Sequence, residues 1–65
     1  MNNIIWIVFE YDSRNPNNKT IHSIWDNEMD AKSESEESLE RHVLTRDFNV
    51  YIKFNYERHP VLSKY

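Results

Sequence analysis

The chain has neither cysteine nor glycine among its 65 residues. Without cysteine there is no disulfide, no thiolate metal ligand and no thiol nucleophile. Nothing therefore demands an oxidising compartment. Without glycine the glycine-rich phosphate cradles are excluded, the P-loop and the dinucleotide fingerprint among them. Tight two-residue primed turns are disfavoured as well, so the loops should be longer and built from Asn, Asp and Pro. Long apolar runs are also missing. The longest, Ile4 to Phe9, has six residues, far short of the roughly 20 that cross a bilayer. Met1-Asn2-Asn3 lacks the basic start of a signal peptide. The expectation is a soluble, cytoplasmic protein.

A chain of this length makes one small domain, close to the lower limit for folding without a staple. Its net charge of −3 is unevenly spread. Residues 1–25 are neutral, residues 26–40 set seven acids against Lys32 alone, and residues 41–65 carry a net +3. An acidic middle and a mildly basic end make the molecule polar. The overall negative sign argues against nucleic acid as the leading partner.

The first strand, from about Ile4 to Tyr11, is apolar on both faces. Ile5, Ile7 and Phe9 alternate with Ile4, Trp6 and Val8. A half-buried strand would carry polar residues on one side. The polar stretch Asp12 to Asn18, with a turn signal at Asn15-Pro16, leads to a second strand from Lys19 to Trp25. Strict alternation there puts Thr20, His22 and Ile24 on one face and Ile21, Ser23 and Trp25 on the other.

Asp26 and Asn27 are N-cap residues, and Glu28 and Asp30 suit the positive end of a helix dipole. The spacing predicts a helix from Glu28 to Val43 or Leu44. Its stripe is Ala31, Ser35, Ser38, Leu39, His42 and Val43, with Met29 as a further contact. The small residues would let the helix axis lie close to a sheet. A third strand is predicted from Phe48 to Glu57. It sets Phe48, Val50, Ile52, Phe54 and Tyr56 against Asn49, Tyr51, Lys53, Asn55 and Glu57, and Pro60 ends it. The tail 60–65 would fold back onto an edge or fray. The resulting fold class is α+β: a single ββαβ domain over residues 1–65, with an antiparallel sheet in the order 2-1-3 and the helix on one face. The helix should cover the face bearing Val50, Ile52 and Phe54.

Three segments carry a likeness. They are Phe9-Glu10-Tyr11-Asp12, then Ile24-Trp25-Asp26-Asn27-Glu28-Met29-Asp30-Ala31, then Phe48-Asn49-Val50-Tyr51-Ile52. Over residues 4–57 the chain resembles small β-β-α-β domains of unknown function from bacteria and phages. Ser23 stands where those domains often carry a glycine. The resemblance implies the fold and supplies no activity and no functional residues. The abundance of Asn and Ile is also the usage of an AT-rich genome, as in many phages. Such a protein would be an accessory factor or inhibitor that obstructs or redirects a host protein in the host cytoplasm.

One helix shelters one face of a sheet, so the apolar opposite face calls for another cover. Trp6, Trp25 and Tyr51 are the candidate partner interface, with Lys53 at its rim. Trp and Tyr are frequent interface anchors. The leading expectation is a non-enzymatic protein-binding module, a homodimer or one docked on a larger host protein. A first alternative is single-stranded nucleic acid stacked on the same aromatics near Lys53 and Arg58. A second is a nucleic-acid mimic, through the acidic helix face of Glu34, Glu36, Glu37 and Glu40. His22, His42 and His59 are far apart in sequence and suggest no metal site. A domain this small has little room for a pocket, and Ser33, Ser35 and Ser38 have no evident base. No cofactor, no metal and no catalytic residue is expected, and the protein is expected not to be an enzyme.

Overall fold

The computed structural model describes residues 4–61. The elements run β1 (Ile4–Asp12), β2 (Lys19–Trp25), α1 (Glu28–Val43) and β3 (Ile52–Pro60). The sheet order is β2-β1-β3, and β1 is antiparallel to both neighbours. This is the ββαβ fold that the hydrophobic pattern predicts, with the most apolar strand in the centre.

The connections show how a chain manages without glycine. No described residue has a positive φ. Between β1 and β2 the amide of Asn15 donates to the Asp12 carbonyl (2.8 Å) and that of Asn18 to the Asn15 carbonyl (3.1 Å). The Asp12 carboxylate takes the Arg14 amide at 2.8 Å, a side-chain-stabilised turn. At the helix start Asn27 is the N-cap: its Oδ1 accepts the Asp30 amide (2.8 Å) and its Nδ2 donates to the Asp30 carboxylate (2.7 Å). At the helix end Leu44 keeps a right-handed conformation, and the Thr45 hydroxyl donates to the Arg41 carbonyl at 3.1 Å.

The helix covers one side of the sheet with Ala31, Ser35 and Ser38, all buried. Their small size brings the backbones close together, as the stripe predicts. The stripe is narrower than the spacing suggests. Leu39 and His42 are half-buried, Val43 is exposed, and Met29, at 78% exposure, makes no part of the core. On the sheet, cross-strand partners share a face. Val8 pairs with Tyr56 and Glu10 with Phe54. Phe54 in turn meets the rings of His22 and His42. The helix side therefore carries Trp6, Val8, Phe54 and Tyr56, with Val8 fully buried. Ile52 and Phe54 lie on it as predicted.

The third strand starts four residues later than the pattern suggests. Register explains why: Ile52 pairs with Asp12, the last residue of β1. One further bond, from the Ser13 amide to the Tyr51 carbonyl (2.7 Å), closes the ladder, and residues 48–50 have no strand left to pair with. Instead the amides of Tyr51 and Ile52 turn onto the side-chain and main-chain oxygens of Asn49 (2.9 and 3.1 Å). Val50 therefore lies in a turn, and with Phe48 it borders a shallow groove beside Leu39, His42 and Val43. At its far end β3 runs on to Pro60, opposite Ile4. Residues 62–65 of the expected tail lie outside the described residues.

The tight seat of Ala31 gives a prediction. Ala31→Leu should overpack the helix–sheet contact and lower stability by about 1–3 kcal/mol. Leu at exposed Met29 should change it by less than about 0.5 kcal/mol. Urea unfolding midpoints of the two variants check this.

Candidate functional site

The feature that sorts the side chains is a bulge. Val8 pairs with Ser23, but Phe9 pairs with Ile21, so His22 is an extra residue in β2. Alternation is interrupted there. Thr20 and His22 face the helix, and so do Ser23 and Trp25, which pair with Val8 and Trp6. Ile21 and Ile24 both face the opposite side, beside Phe9 and Ile7. This corrects the alternation read from the sequence at Ser23, Ile24 and Trp25.

The four residues read as one interface do not share a surface. Trp6 stands on the helix side against Tyr56 (ring centroids 6.0 Å), and Trp25 stands there too, its indole N–H donating to the Ser23 hydroxyl at 2.8 Å. Lys53, paired with Tyr11, lies on the helix-free side. Tyr51 lies in the turn before β3 with the Arg14 guanidinium 4.0 Å above its ring. The interruption at His22 turns Trp25 around, and the burial of Val8 under the helix takes Trp6 with it. Of the residues named for a nucleic-acid platform, Trp6, Trp25 and Arg58 lie side by side on the helix side, and Tyr51 and Lys53 lie elsewhere.

The helix-free side carries Ile5, Ile7 and Phe9 of β1, Ile21 and Ile24 of β2, and Lys53, Asn55, Glu57 and His59 of β3. Part of it is covered within the protomer. The Lys19 ammonium lies over the Phe9 ring at 4.6 Å and is ion-paired with Glu57. His59 meets the same carboxylate (3.1 Å) and the edge of Phe9. Phe9 and Ile7 are consequently almost enclosed. What stays open is the β2 side, where Ile21 is 56% and Ile24 57% exposed.

A second cluster joins β2 to the helix. His22 Nε2 lies 3.0 Å from the Ser38 hydroxyl and 3.3 Å from the Glu34 carboxylate. Arg41 Nη2 donates to Glu34 (3.2 Å) and to Ser38 (3.1 Å). Serine, histidine and carboxylate are the ingredients of a nucleophilic triad, and nothing in the order of residues marks that they meet. Their geometry is different from a triad. Serine and carboxylate address the same ring nitrogen, whereas an orienting carboxylate belongs on Nδ1. One ring nitrogen cannot donate to Glu34 and accept from Ser38 at the same time, so a ring that donates to Glu34 offers Ser38 no basic site. Ser38 is also buried. The cluster acts as a polar latch between helix and bulge. It turns Glu34 inward and leaves Glu36, Glu37 and Glu40 as the exposed acidic face.

Three carboxylates are held below their ordinary range. Asp12 is pulled down to about 2 by the hydrogen bonds from the Arg14 side chain and amide. For Glu34, burial pushes upward, and the bonds from Arg41 and His22 outweigh it. For Glu57, the bond from Lys19 lowers the value, burial opposes it and His59 adds to it. Among the described residues no group of three His, Asp or Glu side chains is placed to hold a metal ion, and no helix is long and apolar enough to cross a membrane. Comparison with known families, with characterised proteins and with solved structures finds no match for this chain.

The lowered carboxylates set the sign of the acid response. Each binds its proton more weakly folded than unfolded. Their stabilisation is complete above the unfolded carboxylate range, about pH 4, and is lost as pH falls through the folded values. Denaturant midpoints should therefore decline below about pH 4. Glu34→Gln should be less stable at neutral pH and show a shallower decline on acidification, measured by circular dichroism across a pH series.

Proposed function

We propose that this protein is a non-enzymatic protein-binding module that associates through the helix-free side of its sheet, at the β2 end. The exposure of Ile21 and Ile24 carries the reading. Two adjacent large aliphatic side chains, more than half exposed, stand on an edge strand beside the enclosed Ile7 and Phe9. Contiguous apolar surface of this kind marks a contact site. The core points the same way. Among the described residues only Ile7, Val8, Phe9 and Ala31 of the apolar ones are buried, so further burial on association would add to a small store.

Charge favours protein over nucleic acid. The chain carries a net −3, Arg14 and Lys19 are paired with Asp12 and Glu57, and the β3 cations Lys53 and Arg58 lie on opposite faces of the sheet. A domain that only docks can still obstruct or redirect what it docks on, which is how an accessory or inhibitory protein would act.

Tagged protein on a resin, offered an untagged copy and an extract of the source cells, tests the reading. The wild type should retain a defined protein, and Ile24→Lys should retain none while keeping its circular dichroism spectrum. Retention unchanged by Ile24→Lys would overturn the proposal.

A further inference from the structure

Resting on that reading, we infer that the partner is a second copy of this chain, joined antiparallel along the free edge of β2, with Ile21 opposite the partner's Ile24 and Lys19 opposite the partner's Asp26. Three observations lead there.

The two sheet edges are unequal. β3 carries Lys53, Glu57, Arg58 and Pro60, the charges and proline that guard an edge. Thr20 to Trp25 of β2 has no formal charge and no proline. Among the described residues no other element bonds to its outer backbone edge. Such a segment is a template for another strand.

The bulge makes this edge match itself. Reading from Thr20 to Trp25, the side chains face helix, open, helix, helix, open, helix. That order is the same in both directions about the point between His22 and Ser23. An antiparallel two-fold pairing about that point sets Thr20 opposite the partner's Trp25 and His22 opposite the partner's Ser23, always face to like face. A strictly alternating strand paired about such a point would set every inward side chain beside an outward one. An isologous interface needs a self-complementary patch of this kind.

Charge agrees with the register. Lys19 and Asp26 are the charged residues flanking the neutral segment, and the pairing puts them opposite each other at both ends. Opposite charges across a ladder stabilise it, and like charges destabilise it.

The two-fold axis runs perpendicular to the sheet, so the product is one six-stranded sheet with both helices on the same side. On the other side Ile21 and Ile24 of both copies form a single apolar field.

Sedimentation equilibrium of the full chain tests the pairing. The wild type should show twice the 8.0 kDa protomer mass. Asp26→Lys sets Lys against Lys19 and should weaken the dimer by about tenfold. Asp26→Asn, which removes the attraction without adding a repulsion, should weaken it less, and Ile5→Lys, off the edge, should leave it intact. Circular dichroism confirms that each variant is folded. A monomeric wild type, an Asp26→Lys dimer of unchanged affinity, or a folded Ile5→Lys variant that is monomeric would overturn the inference. A monomeric wild type whose capture of another protein is still abolished by Ile24→Lys would sink the self-pairing and leave the protein-binding reading standing.

Discussion

One inserted residue decides the character of this small sheet. His22 has no partner of its own in β1, and the strand must shift its pleat to accommodate it. Before the insertion Ile21 looks away from the helix; after it Ile24 does too, and Ser23 and Trp25 are brought under the helix side. The displaced imidazole is what reaches Ser38 and Glu34. Bulge, latch and open aliphatic pair are three consequences of the same event. A regular β2 would have hidden Ile24 and shown Trp25.

The helix seat depends on that arrangement. Ala31, Ser35 and Ser38 add little apolar area, but they let α1 approach the sheet closely. The Ser35 hydroxyl is satisfied by the Lys32 carbonyl at 2.8 Å, and Ser38 by the His22 and Arg41 side chains. No buried side-chain nitrogen or oxygen among the described residues lacks a partner. The polar stripe is therefore a way to dock a highly charged helix without orphaned groups.

Much of the architecture was legible in the residues. The double-faced apolar strand from Ile4 to Phe9 predicted a central position, Asp26-Asn27 marked the helix start, and the small stripe marked its seat. The start of β3 was not legible, because alternation at Phe48 and Val50 continues past the point where β1 ends. Strand length is set by the partner, and a partner's end is not a local property of the sequence. The placement of Trp6, Trp25, Tyr51 and Lys53 on different surfaces was hidden for a related reason. Period-two reading carries a face assignment along a strand without error until one residue breaks the alternation, and then every later assignment is reversed. Nothing in Ile21-His22-Ser23-Ile24 marks the break, since bulges are often signalled by glycine and this chain has none. The cover over Phe9 was equally hidden, because Lys19 and Glu57 are neighbours only across the folded sheet.

The lack of glycine acts also on the chain before it folds. An average sequence of this length would hold about four or five glycines. Each residue with a Cβ in place of glycine restricts the unfolded ensemble and favours the native state by about 0.4–1 kcal/mol where the native backbone accepts it. Every described residue here does accept it, because none needs a left-handed conformation. The disordered polymer thus starts with fewer conformations to surrender, a gain of about 2–4 kcal/mol that is comparable with the whole margin on which a domain this size survives.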